Sequence, residues 1–271
     1  MRCLSSSRSR AGMLLVCLAL VGGTGCITTA VVQNVQRHNN ALEKERERQQ
    51  RIAALSPRAQ AGELGAMTAL AHALVSAEER PNNDMPRALA LLSRAAEQGD
   101  GLAQAMLGDL LTAGSVQFSR YLVSDSQRDR TRGIALLKKA ALQACRFTTP
   151  GRIGEYRPVI VPADRLANLY GFDHQTEEAR LWRARSIVHC GVPDPTSLTF
   201  AINSAKTGEE REERFALLLL TKSSSAIESA KSRTRLTPED IPGAERKAEA
   251  LRRLVAESEK HDPPPARKEL P

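Results

Sequence analysis

Apolar positions along this chain recur three and four residues apart, and the pattern itself is repeated. Gly62-Glu63-Leu64-Gly65-Ala66-Met67-Thr68-Ala69-Leu70-Ala71 is matched 37 residues later by Gly99-Asp100-Gly101-Leu102-Ala103-Gln104-Ala105-Met106-Leu107-Gly108. Each copy is followed by a second amphipathic run, Ala88-Leu89-Ala90-Leu91-Leu92-Ser93-Arg94-Ala95-Ala96 and then Gly133-Ile134-Ala135-Leu136-Leu137-Lys138-Lys139-Ala140-Ala141. Such spacing predicts helices with one apolar face. Two helices per unit at a period of this size mark an α-solenoid, whose units stack because none buries its apolar face alone. Strand-like alternation of Val, Ile, Thr and aromatic residues is nearly absent. The predicted fold class is all-α.

Helix limits follow from the breakers. The first unit runs from Gly62 to Gln98, with its first helix over 62–76 packing Ala66, Leu70, Ala73 and Leu74. Pro81, Asn82 and Asn83 form the turn, Asp84 is placed to cap the second helix, and Pro86 suits that helix's first turn. Gly99 supplies the left-handed residue that closes it. Aspartate at Leu70, Leu107 or Leu91 is expected to unfold the domain by burying an unpaired charge.

At Gln98-Gly99-Asp100, Ala103-Gln104, Leu107-Gly108, Leu110-Leu111 and Gly114, the chain resembles the Sel1-like repeat, a helical pair related to the tetratricopeptide repeat. The closing signature Ala95-Ala96-Glu97-Gln98-Gly99 fits as well. The resemblance implies about three stacked helix pairs, with small residues at Ala103 and Gly108 letting paired helices touch. The third unit is more worn: Ala163 to Tyr170 carries Ala167 at the close-contact position. Glu177 to Arg185 matches the second helix, with Trp182 at the family's usual aromatic position, where it packs.

Two insertions interrupt this order. Ser115 to Thr131 carries Phe118, Arg120, Tyr121, Arg128 and Arg130, and Arg146 to Val161 carries Arg152 and Tyr156. Loops inserted on a solenoid often form its binding surface, and arginine with aromatic residues suits partner contact. A solvated insertion without a partner accounts for them equally well. Beyond Gly191 the repeat fades into a helix opened by Asp194-Pro195-Thr196 and running to about Lys206, a second from Glu209 to about Thr221, and a last one started by Thr237-Pro238-Glu239-Asp240 and running to about Glu259. Lys222-Ser223-Ser224-Ser225 either interrupts that second helix or merely kinks it, since Ala226 to Lys231 could continue helical. The expected organisation is a signal segment at 1–25, a charged spacer helix at 26–56, the solenoid at 57–191, capping helices at 192–260 and a disordered, proline-rich tail at 261–271. Alternating charge from Glu43 to Arg51 makes that spacer a solvated helix with Glu–Arg and Glu–Lys pairs.

The N-terminus adds an address. Arg2, Arg8 and Arg10 precede nine apolar residues, Met13 to Val21, too few to span a bilayer stably, and small residues lead to Cys26. This resembles the lipobox of bacterial lipoproteins, with Gly23 where leucine is usual, and implies an acylated (palmitate-type) Cys26. Ile27 following it implies sorting to the outer membrane, with the body facing the periplasm. Losing the signal lowers the formal net charge of +8 by three arginines, a mild excess that argues against nucleic acid. Only Cys145 and Cys190 then remain in an oxidising compartment. They fall at the ends of the second helices of consecutive units. Stacked helix axes lie about 8–10 Å apart, whereas a disulfide requires Cα atoms within about 6.8 Å. The pair is therefore either a bridge between converging ends or two buried thiols.

Aromatic residues are 3% of the chain against 41% hydrophobic in total, so the core is built mainly from Ala and Leu. No nucleophile motif, phosphate-cradling loop or metal-ligand spacing occurs. No catalytic residue, metal or cofactor is expected. The expected function is a membrane-anchored scaffold for protein–protein interactions in a cell-envelope complex of secretion or exopolysaccharide-export type. The alternative is direct binding of peptidoglycan or an acidic polysaccharide through Arg120, Arg128, Arg130 and Arg152.

Overall fold

A computed structural model describes residues 9–76, 84–113, 124–150, 159–191, 195–221 and 223–263. Among them eleven α-helices follow one another: α1 (Ser9–Gln60), α2 (Leu64–Val75), α3 (Met85–Glu97), α4 (Gly101–Ala113), α5 (Arg130–Gln143), α6 (Pro162–Phe172), α7 (Thr176–Cys190), α8 (Pro195–Asn203), α9 (Gly208–Leu219), α10 (Ser224–Arg233) and α11 (Asp240–Glu259). Two-residue strands β1 (Phe147–Thr148) and β2 (Val159–Ile160) pair antiparallel at the base of the second insertion. The fold is all-α, and from α1 to α7 each helix packs on the next in series, the arrangement of a solenoid.

Short polar signals start these helices. Asp84 accepts from the Arg87 amide (3.1 Å), Asp100 from Ala103 (2.6 Å) and Asp129 from Arg132 (2.9 Å). Each satisfies an N–H that the first helical turn leaves without a partner. Gly62 and Gly99 end α1 and α3 at φ +94° and +93°. In both, the following amide reaches a carbonyl five residues back, Glu63 to Arg58 (3.2 Å) and Asp100 to Ala95 (3.0 Å), the Schellman closure. His174, at φ +58°, performs the same turn between α6 and α7 without glycine.

α1 and α3 thus close in the same way, and α1 packs on α2 as the first layer of the stack. The segment expected to be a solvated spacer is solvated only in part. Arg48 is 3% exposed; it donates to the Ala73 carbonyl of α2 (3.0 Å) and grips Glu45 (2.8 and 2.7 Å). Ile52, Leu55 and Ala59 join the core that α2, α3 and α4 share. The helix runs unbroken past residue 57, so the stack begins near Glu45 within α1.

Paired helices touch closest where α4 crosses α5. A methyl group on Gly108 would lie 2.9 Å from the Gly133 carbonyl oxygen, and one on Gly133 would lie 3.0 Å from the Gly108 oxygen. The equivalent positions in the first pair, Ala71 and Ala88, are buried as well. In α3 the deeply buried leucine is Leu92, while Leu91 is half-buried, so the expectation for Leu91 moves to its neighbour. Trp182 is packed in the α5–α7 core with Leu166 and Tyr170.

Successive units are also held by charge. Arg165 of α6 faces the buried Asp109 of α4, its Nε 2.9 Å from one carboxylate oxygen and its Nη2 donating to the other at 3.1 Å. At the far end α9 and α10 are separate helices, with Ser223 capping the second. α11 packs on α9 and α7. Its C-terminal end is fastened to α7: Arg185, 4% exposed and stacked 5.2 Å from the Trp182 ring, donates to Ser258 (3.0 Å) and to the Asp262 carbonyl (2.7 Å). His189 meets Glu259 at 2.5 Å. The chain is thus still engaged at residue 262, past the expected start of the tail; residues 264–271 lie outside the described part.

Candidate interaction surface

The residues expected to meet partners divide sharply. Phe118, Arg120, Tyr121, Arg152 and Tyr156 lie outside the described residues. Arg128 is exposed just after a 3₁₀ turn at Asp125–Gln127. Arg130 opens α5 and donates to the Leu169 carbonyl (3.1 Å) and to Asp173 (2.5 Å), so it ties α5 to the end of α6. That engagement gives Arg130 a structural role, while its side chain stays 40% exposed. Cys26 falls within α1, and its side chain is outside the described part. Among the described residues no helix is long and apolar enough to cross a membrane.

Cys145 and Cys190 form a disulfide with Cα atoms 5.2 Å apart. The geometry follows from local convergence: α5 ends at Gln143, and Ala144 turns extended, carrying the chain toward the end of α7. Arg146 also points at the Cys190 carbonyl (3.4 Å). The bond closes a 45-residue separation around α6 and α7. No group of three or more His, Cys, Asp and Glu side chains that could hold a metal occurs among the described residues.

A groove of about 570 Å³, absent from the sequence expectations, opens between α7, α9 and α11. Its floor is apolar: Leu181 from α7, Ala216 from α9, and Ala250, Leu251 and Leu254 from α11. Leu254 is 41% exposed. Glu177, Glu178, Glu209 and Glu213 line the sides, with Arg180 and Lys247. Both cations are engaged, Arg180 with Glu213 at 2.7 Å and Lys247 with Glu212 at 2.9 Å. The hydrogen bond to Glu213 and that carboxylate's charge, with lesser help from Glu209 and Glu177, raise the Arg180 guanidinium above its ordinary value. Glu177, Glu178 and Glu209 have no ion-pair partner among the described residues.

The direction of the helices shapes this groove. Asp240 pairs with Arg211 and Arg252 with the Leu219 carbonyl, so α9 and α11 run the same way. Glu209, Glu213 and Ala216 are therefore one face of α9, and Lys247, Ala250, Leu251 and Leu254 one flank of α11. One signal in the sequence pointed here. The stripe of α11 that packs inward is Ala244, Ala248, Leu251 and Val255, and Ala250 with Leu254 make the apolar surface wider than that contact uses. Compared with models of known protein families the chain matches none, and no curated protein matches it.

Proposed function

We propose that this protein is a lipid-anchored scaffold of the bacterial outer membrane that holds a protein partner in a cell-envelope complex. It does so with a solenoid of Sel1-like helix pairs facing the periplasm. The observation that carries this reading is the apolar-floored groove on the side of a rod of stacked helices. Monomeric proteins bury such surface unless something else covers it. Leu181 and Leu251 are packed against the core of α7, α9 and α11, so that part of the surface is preformed and loses little order on binding. The lipobox at Gly22 to Cys26 supports the address, because acyl chains on Cys26 would keep the rod at the membrane at about 0.8 kcal/mol per buried methylene. Direct binding of an anionic polymer has less support, since Arg130 is spent on Leu169 and Asp173. The test is crosslinking in intact envelopes followed by recovery of the protein. A stoichiometric protein partner is expected. Recovery of polysaccharide alone, lost at high salt, would replace the scaffold with the polymer binder.

A further inference from the structure

We infer that the groove between α7, α9 and α11 is the docking site for a basic amphipathic helix of the partner. The inference rests on the scaffold reading and specifies the chemistry of what is held. Glu209 to Ala216 on α9 and Lys247 to Leu254 on α11 each span eight residues, so seven helical rises make the trough about 10 Å long, two turns of a helix. Its floor is aliphatic along that length and its unpaired side groups are acidic. A helix laid in such a trough needs apolar residues three and four apart, flanked by lysine or arginine that reach the walls. The sign of the walls is local. The chain as a whole carries +8, whereas this mouth keeps three carboxylates without an ion pair among the described residues, Glu177, Glu178 and Glu209, once Arg180 pairs with Glu213 and Lys247 with Glu212. Diffuse surface charge would have the opposite sign, so the acidic rim selects a partner that the rest of the surface repels.

The probe is a fluorescent amphipathic peptide of leucine and lysine, about 18 residues or five turns long, titrated by anisotropy against the full-length protein. A peptide with glutamate in place of lysine is the comparison. The lysine peptide is expected to bind and the glutamate peptide to fail. Glu178→Lys with Glu209→Lys should weaken the lysine peptide about tenfold and admit the glutamate peptide. Leu254→Ser should weaken the lysine peptide by a similar factor. Both changes are at exposed positions, and unchanged melting would show that the fold is intact. Equal binding of the two peptides, or binding indifferent to these substitutions, overturns the proposal. So does a dimer in sedimentation that Leu254→Ser dissolves, since the groove would then belong to a second copy. If envelope crosslinking recovers a partner equally well from the charge-reversed double variant, the groove is wrong and the scaffold stands. If no partner is recovered from the native protein while peptide selectivity persists, the scaffold reading fails and the docking chemistry remains.

Discussion

Gly108 and Gly133 set how close two helices can come, and their cost is specific to that crossing. In an exposed helix, glycine to alanine gains up to about 1 kcal/mol because the backbone loses less freedom on folding. Gly65 in α2 is such a place, with nothing within 4 Å of an added methyl group, so Gly65→Ala should raise the melting temperature. Gly108→Ala should lower it. Its methyl group would meet the Gly133 carbonyl and Leu137, backbone and core that must shift, at a cost of about 1–3 kcal/mol that outweighs the propensity gain. Equal effects of the two substitutions in thermal unfolding would show that the crossing is looser than these distances require. Asp240 gives the same scale a pH dependence. Burial would raise its carboxyl, but the Arg211 hydrogen bonds, then the Thr237 amide, hold it below its ordinary value of 3.8. A carboxylate lowered in the folded state stabilises above that ordinary value, and the benefit disappears as pH falls through the lowered one. Denaturant titrations should show Asp240→Asn about 2 kcal/mol less stable at neutral pH, a difference that closes below pH 3.8.

Among the elements, α1 and the covalent link between α5 and α7 decide how the stack begins and how its middle is tied. Glu45, held below the usual carboxylate range by its hydrogen bonds from Arg48, orients that arginine onto the Ala73 carbonyl. Deleting through Ala61 should expose the apolar face of α2 and cause aggregation, while deleting only through Asn40 should leave the melting temperature nearly unchanged. A cut at the expected boundary, residue 57, should behave like the first, because it removes Arg48, Ile52 and Leu55. The disulfide restrains the unfolded chain over a 45-residue separation. Loop-closure entropy then sets an upper value of about 4 kcal/mol for its contribution. Replacing Cys145 and Cys190 by serine, or adding reductant, should lower the unfolding temperature in calorimetry. Reductant should have no effect on the double variant.

For the molecule as a whole, the proposed lipid anchor and the proposed docking groove lie at opposite ends of the chain. Cys26→Ala should move the protein from the membrane pellet to the soluble fraction without changing its melting temperature. Retention of the alanine variant through a high-salt wash would mean that something other than acyl chains holds it. The repeats were legible because they are local: an amphipathic period, a capping aspartate and a closing glycine act within one or two turns, and each occurs as a pattern in the sequence. The groove was not legible, because it is made by three helices that are distant in sequence. Leu181, Ala216 and Leu254 come together only after α10 returns the chain so that α9 and α11 run side by side. Arg130's structural partners were hidden for a related reason. An arginine in an insertion reads as a free cation until the end of α6 arrives beside it with Asp173 and the Leu169 carbonyl.

By itself the sequence determined the class of fold, the positions where helices start and stop, and the close contact of small residues in each pair. All of these depend on backbone geometry and on neighbours within a few residues. Tertiary structure alone decided that the end of a charged helix packs into the core, which cations bond to carbonyls, and that two cysteines 45 residues apart meet. Each of those outcomes depends on which surface another helix covers, and burial turns a solvated charge into one that must find a partner.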